Sequence, residues 1–143
     1  MTDDSLQTFL SIGSDFLMIS HVVPAINSLE CQLSNICKES INRYGGTLTN
    51  SLIFESCLQS SALLIRLCLG FHQPMITLSK FTLELKDFTL SLEDLIIHSE
   101  IKIVRRNFVK VNSVSIMKHI TVATCEAVYS ISGLDRNPRN GIE

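Results

Sequence analysis

Apolar residues recur along this chain at alternating steps of three and four. The clearest series is Leu78, Phe81, Leu85, Phe88, Leu92 and Leu95. It is carried by a seven-residue repeat in which Lys80-Phe-Thr-Leu-Glu-Leu-Lys86 runs directly into Asp87-Phe-Thr-Leu-Ser-Leu-Glu93. A helix returns a side chain to the same seam about every 3.5 residues, so this spacing predicts a helix over 77–99. Phe81, Leu83 and Leu85 also alternate as a strand would. An odd offset of seven, however, puts Phe88 on the face opposite Phe81, which excludes one continuous strand. A hairpin would have to turn at Lys86-Asp87, which offers neither Gly nor Asn for positive φ.

The same rhythm appears earlier in Ile12, Phe16, Ile19, Val23 and Ile26, and after a phase step in Leu29, Leu33 and Ile36. Pro24 lies inside this run and is expected to end or kink the first helix near His21. Gly45-Gly46 marks a break. Thr47 is a plausible cap for a further helix from about Leu48 to Leu69, with Gly70 as its stop and Pro74 in the tolerated first turn of the next helix. Beyond Glu100, Ile101, Val104, Phe108 and Val111 keep helical spacing, with a β-hairpin across 101–118 as the alternative. A last segment runs from about Val114 to Ile131. These elements predict an all-α fold: a single bundle of four to six amphipathic helices with short connections over 1–132. The remaining residues, 133–143, have the turn-rich chemistry of a mobile tail.

Composition supports a packed domain. Of 143 residues 45% are hydrophobic and only 18% charged. That is enough apolar surface to offset the entropy of ordering, and it points to some left over for a partner. A net charge of −2 supplies no global field for nucleic acid or anionic lipid. The Met-Thr-Asp-Asp start has the wrong sign for a secretory signal. The apolar stretch Phe16 to Ile26 is interrupted by Ser20, His21 and Pro24, and Ala62 to Phe71 is short and carries Arg66. No membrane span is therefore expected. Five irregularly spaced cysteines (Cys31, Cys37, Cys57, Cys68, Cys125), together with the lack of any Asn-x-Ser/Thr site, suggest a reducing, cytoplasmic setting.

The sequence offers no catalytic, cofactor-binding or metal-ligating residues. His21, His72, His98 and His119 form no paired metal spacing, and Cys31 and Cys37 would lie about 240° apart on a helix. His119 with Cys125 is the least implausible nucleophile pair, the basis of an alternative reading as a small helical enzyme with a cysteine nucleophile. No Gly-rich phosphate loop and no G-x-S-x-G motif is present. Acidic residues gather in 84–100 (Glu84, Asp87, Glu93, Asp94, Glu100) and basic ones in 102–118 (Lys102, Arg105, Arg106, Lys110, Lys118). This division is read as two adjacent helices with attracting solvated faces. With Phe108 the lone aromatic among them, no nucleic-acid partner is expected.

Two segments carry a family resemblance. Cys31-Gln-Leu-Ser-Asn-Ile-Cys37, followed by Ile41, Asn42 and Tyr44, is similar to a helix of a poxviral Bcl-2-like apoptosis inhibitor. Phe9-Leu-Ser-Ile-Gly-Ser-Asp-Phe16 resembles a BH3 segment, apolar at its first, fourth and eighth positions with Gly13 at the fifth. Ser14 stands where that motif carries an acid, the family's Asn-Trp-Gly-Arg signature is missing, and the chain has no Trp. The resemblance implies a helical bundle with a groove for an amphipathic peptide. The sequence therefore leads to a non-enzymatic interaction or adaptor protein without a cofactor, binding another protein or itself through an apolar stripe or groove and able to form a homodimer. A Bcl-2-like regulator of apoptosis is the sharper alternative.

Overall fold

The computed structural model describes residues 1–10, 13, 16–44, 46–69, 75–86 and 95–132. It is built on antiparallel sheet, not on packed helices. In chain order the elements are α1 (Asp3–Leu10), β1 (Ile19–Ala25), β2 (Ser28–Leu33), α2 (Asn35–Tyr44), α3 (Gly46–Leu69), β3 (Met75–Leu85), β4 (Leu95–Val104), β5 (Phe108–Met117) and β6 (Ile120–Ser132). The six strands form one sheet in the order β1-β2-β4-β5-β6-β3, antiparallel at every pairing. Helix α3 lies across one face and touches all six strands.

The all-α bundle is therefore overturned. The segment 77–99, expected as a helix, enters β3 and β4. In β3 the alternation of Phe81, Leu83 and Leu85 is the operative pattern: these three are half-buried while Thr82, Glu84 and Lys86 are exposed. Phe81 packs edge-on against Phe54 of α3 with ring centroids 4.4 Å apart. Strand β3 ends at Leu85. Phe88, Leu90 and Leu92 lie outside the described residues. The stretch 101–118 is the hairpin of β4 and β5, and 114–131 falls in β5 and β6, which meet in a two-residue turn where Lys118 and His119 both have positive φ. The series Ile12 to Ile26 is no seam either: Ile19 is buried in β1, while Val23 and Ile26 project into solvent at 64% and 91% exposure. Cys31 and Leu33 of the Bcl-2-like segment lie in β2, and the BH3-like segment extends past the end of α1 beyond the described residues. The expected tail 133–143 also lies outside them.

The expected helix over 48–69 is α3. Ile53, Leu63, Leu64 and Ile65 on it are at most 1% exposed. Three consecutive buried residues, about 100° apart, mean that the helix is enclosed over most of its circumference. By length and composition Asn50–Leu69 could cross a membrane, but half of it is buried inside this fold, as expected of a core helix.

Small side chains let the sheet approach α3 closely. Ser60 lies 2.7 Å from Ser99, and Ser99 2.6 Å from Ser113, oxygen to oxygen. Cys57 sits 3.6 Å from Ser115. All these residues are buried, and each hydroxyl has a partner within the protein, so the polar atoms are paired without water. At the far side Ser34 caps α2, accepting from the Cys37 N–H at 3.1 Å and donating to the Leu17 carbonyl at 2.6 Å. That second bond ties the 16–18 segment, which leads into β1, to the helical layer.

The two sheet edges differ. Edge strand β1 carries Pro24 and a bulge between Ser20 and Val23, with His21 at φ 51°; such features block pairing with another chain. Edge strand β3 is eleven residues long and contains no proline, and it has a bulge of its own between Leu78 and Lys80.

Candidate active site

On α3 the strip turned away from the sheet runs through Glu55, Leu58, Gln59, Ala62 and Arg66, at steps of three and four. Here the helix is not covered by strands. A cleft of about 290 Å³ opens along it, lined by Leu10, Leu58, Gln59, Ala62, Arg66, Ile76, Leu78 and Tyr129. One wall is the end of α1, the floor is α3 with Tyr129 of β6, and the other wall is edge strand β3. Ala62 has no side chain beyond Cβ, which leaves room between Leu58 and Arg66.

Gln59 organises the polar end. It is 6% exposed. Its Oε1 accepts the Met18 N–H at 2.8 Å, and its Nε2 donates to the Phe16 carbonyl at 2.7 Å and to Glu55 Oε1 at 3.2 Å. One amide thus satisfies two backbone groups of the 16–18 segment and holds a carboxylate one helical turn away. Glu55 itself is exposed. Its second oxygen has no partner among the described residues, so it is available to a water or substrate. At the floor, the Tyr129 hydroxyl donates to the Leu58 carbonyl at 3.2 Å and lies 2.7 Å from Ser61 Oγ. Burial pushes its pKa up to about 12, partly opposed by the Ser61 hydrogen bond. Tyr129 is thus a neutral, fixed wall.

The residues singled out from sequence are scattered. His119 is exposed in the β5–β6 turn, whereas Cys125 is buried on β6 facing α3, and about 3.3 Å of strand per residue separates them. Cys125 instead meets Cys57: that hydrogen bond lowers the Cys125 pKa and, with burial, raises Cys57. Cys31 on β2 and Cys37 on α2 occupy different elements, and burial pushes their pKa values up to about 12 and about 11. His98 lies 3.5 Å from Glu30 across β4 and β2, and His21 contacts Ser20 at the β1 bulge; His72 is outside the described residues. The acidic and basic blocks are not two helices. Glu100 pairs with Lys102 along β4 at 3.2 Å, and Lys110 with Glu126 across β5 and β6 at 3.1 Å.

Glu55 and Gln59 are the residues that sequence reasoning misses, although their i, i+4 spacing lies in plain view on the predicted 48–69 helix. Arg66 reads there only as a charge interrupting an apolar run.

No protein-family model and no curated protein matches the chain. Solved structures do. A presumptive thioesterase from Silicibacter sp. TM1040 is 20% identical, with TM-score 0.67 over 80% of this chain and 77% of the other. A thioesterase from Pseudomonas aeruginosa, solved as a mutant, is 10% identical, with TM-score 0.69 over 94% and 96%. A hypothetical thioesterase with coenzyme A from Streptococcus pneumoniae is 18% identical, with TM-score 0.55 over 74% and 77%. These likenesses establish the architecture, a sheet wrapped on one long helix. The chain has the hotdog fold.

The hotdog fold corrects the functional expectations built on a bundle. An adaptor that works through helical seams, and a Bcl-2-like regulator with a groove between helices, both need helices that this chain forms as strands. The expectation of a protein without enzymatic activity, and of a role confined to protein–protein interaction, rested on the same bundle; the fold is instead one shared with thioesterases.

Proposed function

We propose that this chain is a thioester hydrolase in which Glu55 is the general base. The observation that carries the reading is the Gln59 clamp: a buried amide, fixed at three points, lines an apolar cleft and orients a solvent-facing carboxylate one helical turn beyond it. The cleft suits a hydrocarbon acyl chain, and the open oxygen of Glu55 suits a water molecule. In the reaction Glu55 takes a proton from water as its oxygen attacks the thioester carbonyl. The tetrahedral intermediate collapses with cleavage of the C–S bond. The products are a carboxylate and a thiol, with the proton passing to the leaving sulfur. The thioesterases among the structural neighbours, one of them solved with coenzyme A, support this class of substrate.

The same reading includes a homodimer formed along β3, an edge strand that borders the cleft through Ile76 and Leu78. Light scattering then gives twice the 16.0 kDa chain mass; a monomer at micromolar concentration removes this part. The five free thiols, four of them buried, fit a cytoplasmic setting.

The test is a panel of coenzyme A thioesters with short, medium and aromatic acyl groups, followed by release of free thiol. The proposal expects turnover that rises with acyl length until the cleft is filled. Rates equal to those of heat-inactivated protein across the whole panel would refute it.

A further inference from the structure

Arg66 stands out in a cleft that is otherwise apolar at its end. It is half-buried on α3 and lines the wall together with Leu10, Ala62, Ile76 and Leu78. A half-buried guanidinium beside such neighbours is a ready partner for an anion that enters the cleft. Three ion pairs occur among the described residues, and Arg66 is in none of them. It is therefore a cation turned toward a ligand-sized space, with no counter-ion among the described residues.

Its position along the helix defines what it can reach. Glu55 and Arg66 are eleven residues apart on α3, about 16 Å at the 1.5 Å rise of an α-helix. Between them the floor is Leu58, Gln59, Ala62 and Tyr129, and the walls are the aliphatic Leu10, Ile76 and Leu78. A ligand that fills this cleft has a reacting carbonyl at the Glu55 end, methylenes in the middle and a negative charge at the far end.

We propose that Arg66 selects acyl groups carrying a distal carboxylate, so that the preferred substrates are thioesters of medium-length α,ω-dicarboxylic acids. This rests on the thioesterase reading for the location of the acyl chain. The aliphatic walls between the two ends favour an acyl carboxylate over the phosphates of a polar carrier arm, which present the same anionic chemistry. A planar guanidinium receives a carboxylate through two parallel N–H donors, which makes Arg66 a selector of charge and of chain length together.

The experiment is calorimetric titration of the full chain with the monoamides of suberic, sebacic and dodecanedioic acid (the diacid probes), each beside the neutral amide of equal length (the monoacid probe), and with free coenzyme A. The wild type is expected to bind one of the diacids at least about tenfold more tightly than its monoacid, the scale of one charge-assisted hydrogen-bond pair. Arg66→Met, which keeps the aliphatic stem, is expected to erase that preference while leaving monoacid affinity within about twofold; its fold is checked by circular dichroism. Glu55→Gln is expected to retain the preference. Equal affinity for diacid and monoacid in the wild type, or a preference that survives Arg66→Met, overturns the inference. So does a loss confined to coenzyme A, which would assign Arg66 to a carrier phosphate. A diacid preference in a protein that hydrolyses no thioester keeps Arg66 as a carboxylate site but overturns its role in substrate choice together with the hydrolase reading; turnover without the preference overturns this inference alone.

Discussion

Gln59 holds Glu55: the amide nitrogen of the one is 3.2 Å from a carboxylate oxygen of the other, one turn apart on α3. The same nitrogen is 2.7 Å from the Phe16 carbonyl. A single side chain thereby couples the core helix, the segment leading into β1 and the proposed base.

Replacing Gln59 with Leu is expected to affect both stability and rate. The variant leaves the Met18 N–H and the Phe16 carbonyl without partners, which costs about 1–3 kcal/mol for a buried unsatisfied group. Urea denaturation measures that loss. Because Glu55 is still present but no longer positioned, thiol release is expected to slow mainly through kcat, with KM little changed. A KM effect alone would assign Gln59 to substrate binding.

The serine seam under α3 gives a second expectation. Ser99 sits between Ser60 and Ser113, within 2.7 Å and 2.6 Å of each. Ser99→Ala removes one partner from each of two buried hydroxyls, which keep their contacts with Cys31 and Cys125, and is expected to destabilise by about 0.5–1.5 kcal/mol. Ser99→Leu is expected to cost more, because the added volume pushes the helix off the sheet. If Leu proves neutral in urea melts, the close approach does not depend on small residues.

Stability is expected to fall as the solution becomes alkaline. Burial raises Cys31 from 9.0 to about 12, Cys37 from 9.0 to about 11 and Tyr129 from 10.0 to about 12. Above the ordinary value the unfolded chain has released these protons while the folded chain still holds them, so the unfolded state gains. The stabilisation is complete below about pH 9 and is lost progressively toward pH 12. Tm recorded across that window checks it, and Tyr129→Phe should flatten the upper part of the slope.

Core truncation sets the scale against which these effects are judged. Leu64, on the enclosed part of α3, is 1% exposed. Leu64→Ala is expected to cost about 2–5 kcal/mol in chemical denaturation. A cost under about 1 kcal/mol would contradict the placement of α3 at the centre of the core.

Which parts of the fold are legible in the sequence depends on the physical signal that dominates locally. Helix α3 is legible because Gly45-Gly46 bounds an apolar stretch too long for a strand. The strands are not. Their inward positions hold Ser99, Ser113, Ser115, Cys125 and Ala127, small or polar residues that weaken a two-residue hydrophobic period. On β3, Phe81 and Leu85 satisfy both periods, and the longer heptad series masks the shorter one. For β1 the three-four spacing joins buried Ile19 to exposed Val23 and Ile26. The site is hidden for a different reason: Glu55, Gln59 and Arg66 are ordinary residues for an exposed helix strip, and only the fold shows that a buried segment and an apolar cleft meet them there.

The most direct test compares wild type and Glu55→Gln, two chains of nearly equal shape, for thiol release from one medium-chain acyl-coenzyme A thioester at neutral pH. A general base at Glu55 predicts a wild-type rate well above background and a fall of about 10²–10⁴-fold in the variant, the usual contribution of a positioned base, with unchanged circular dichroism. Equal rates in the two proteins would contradict it.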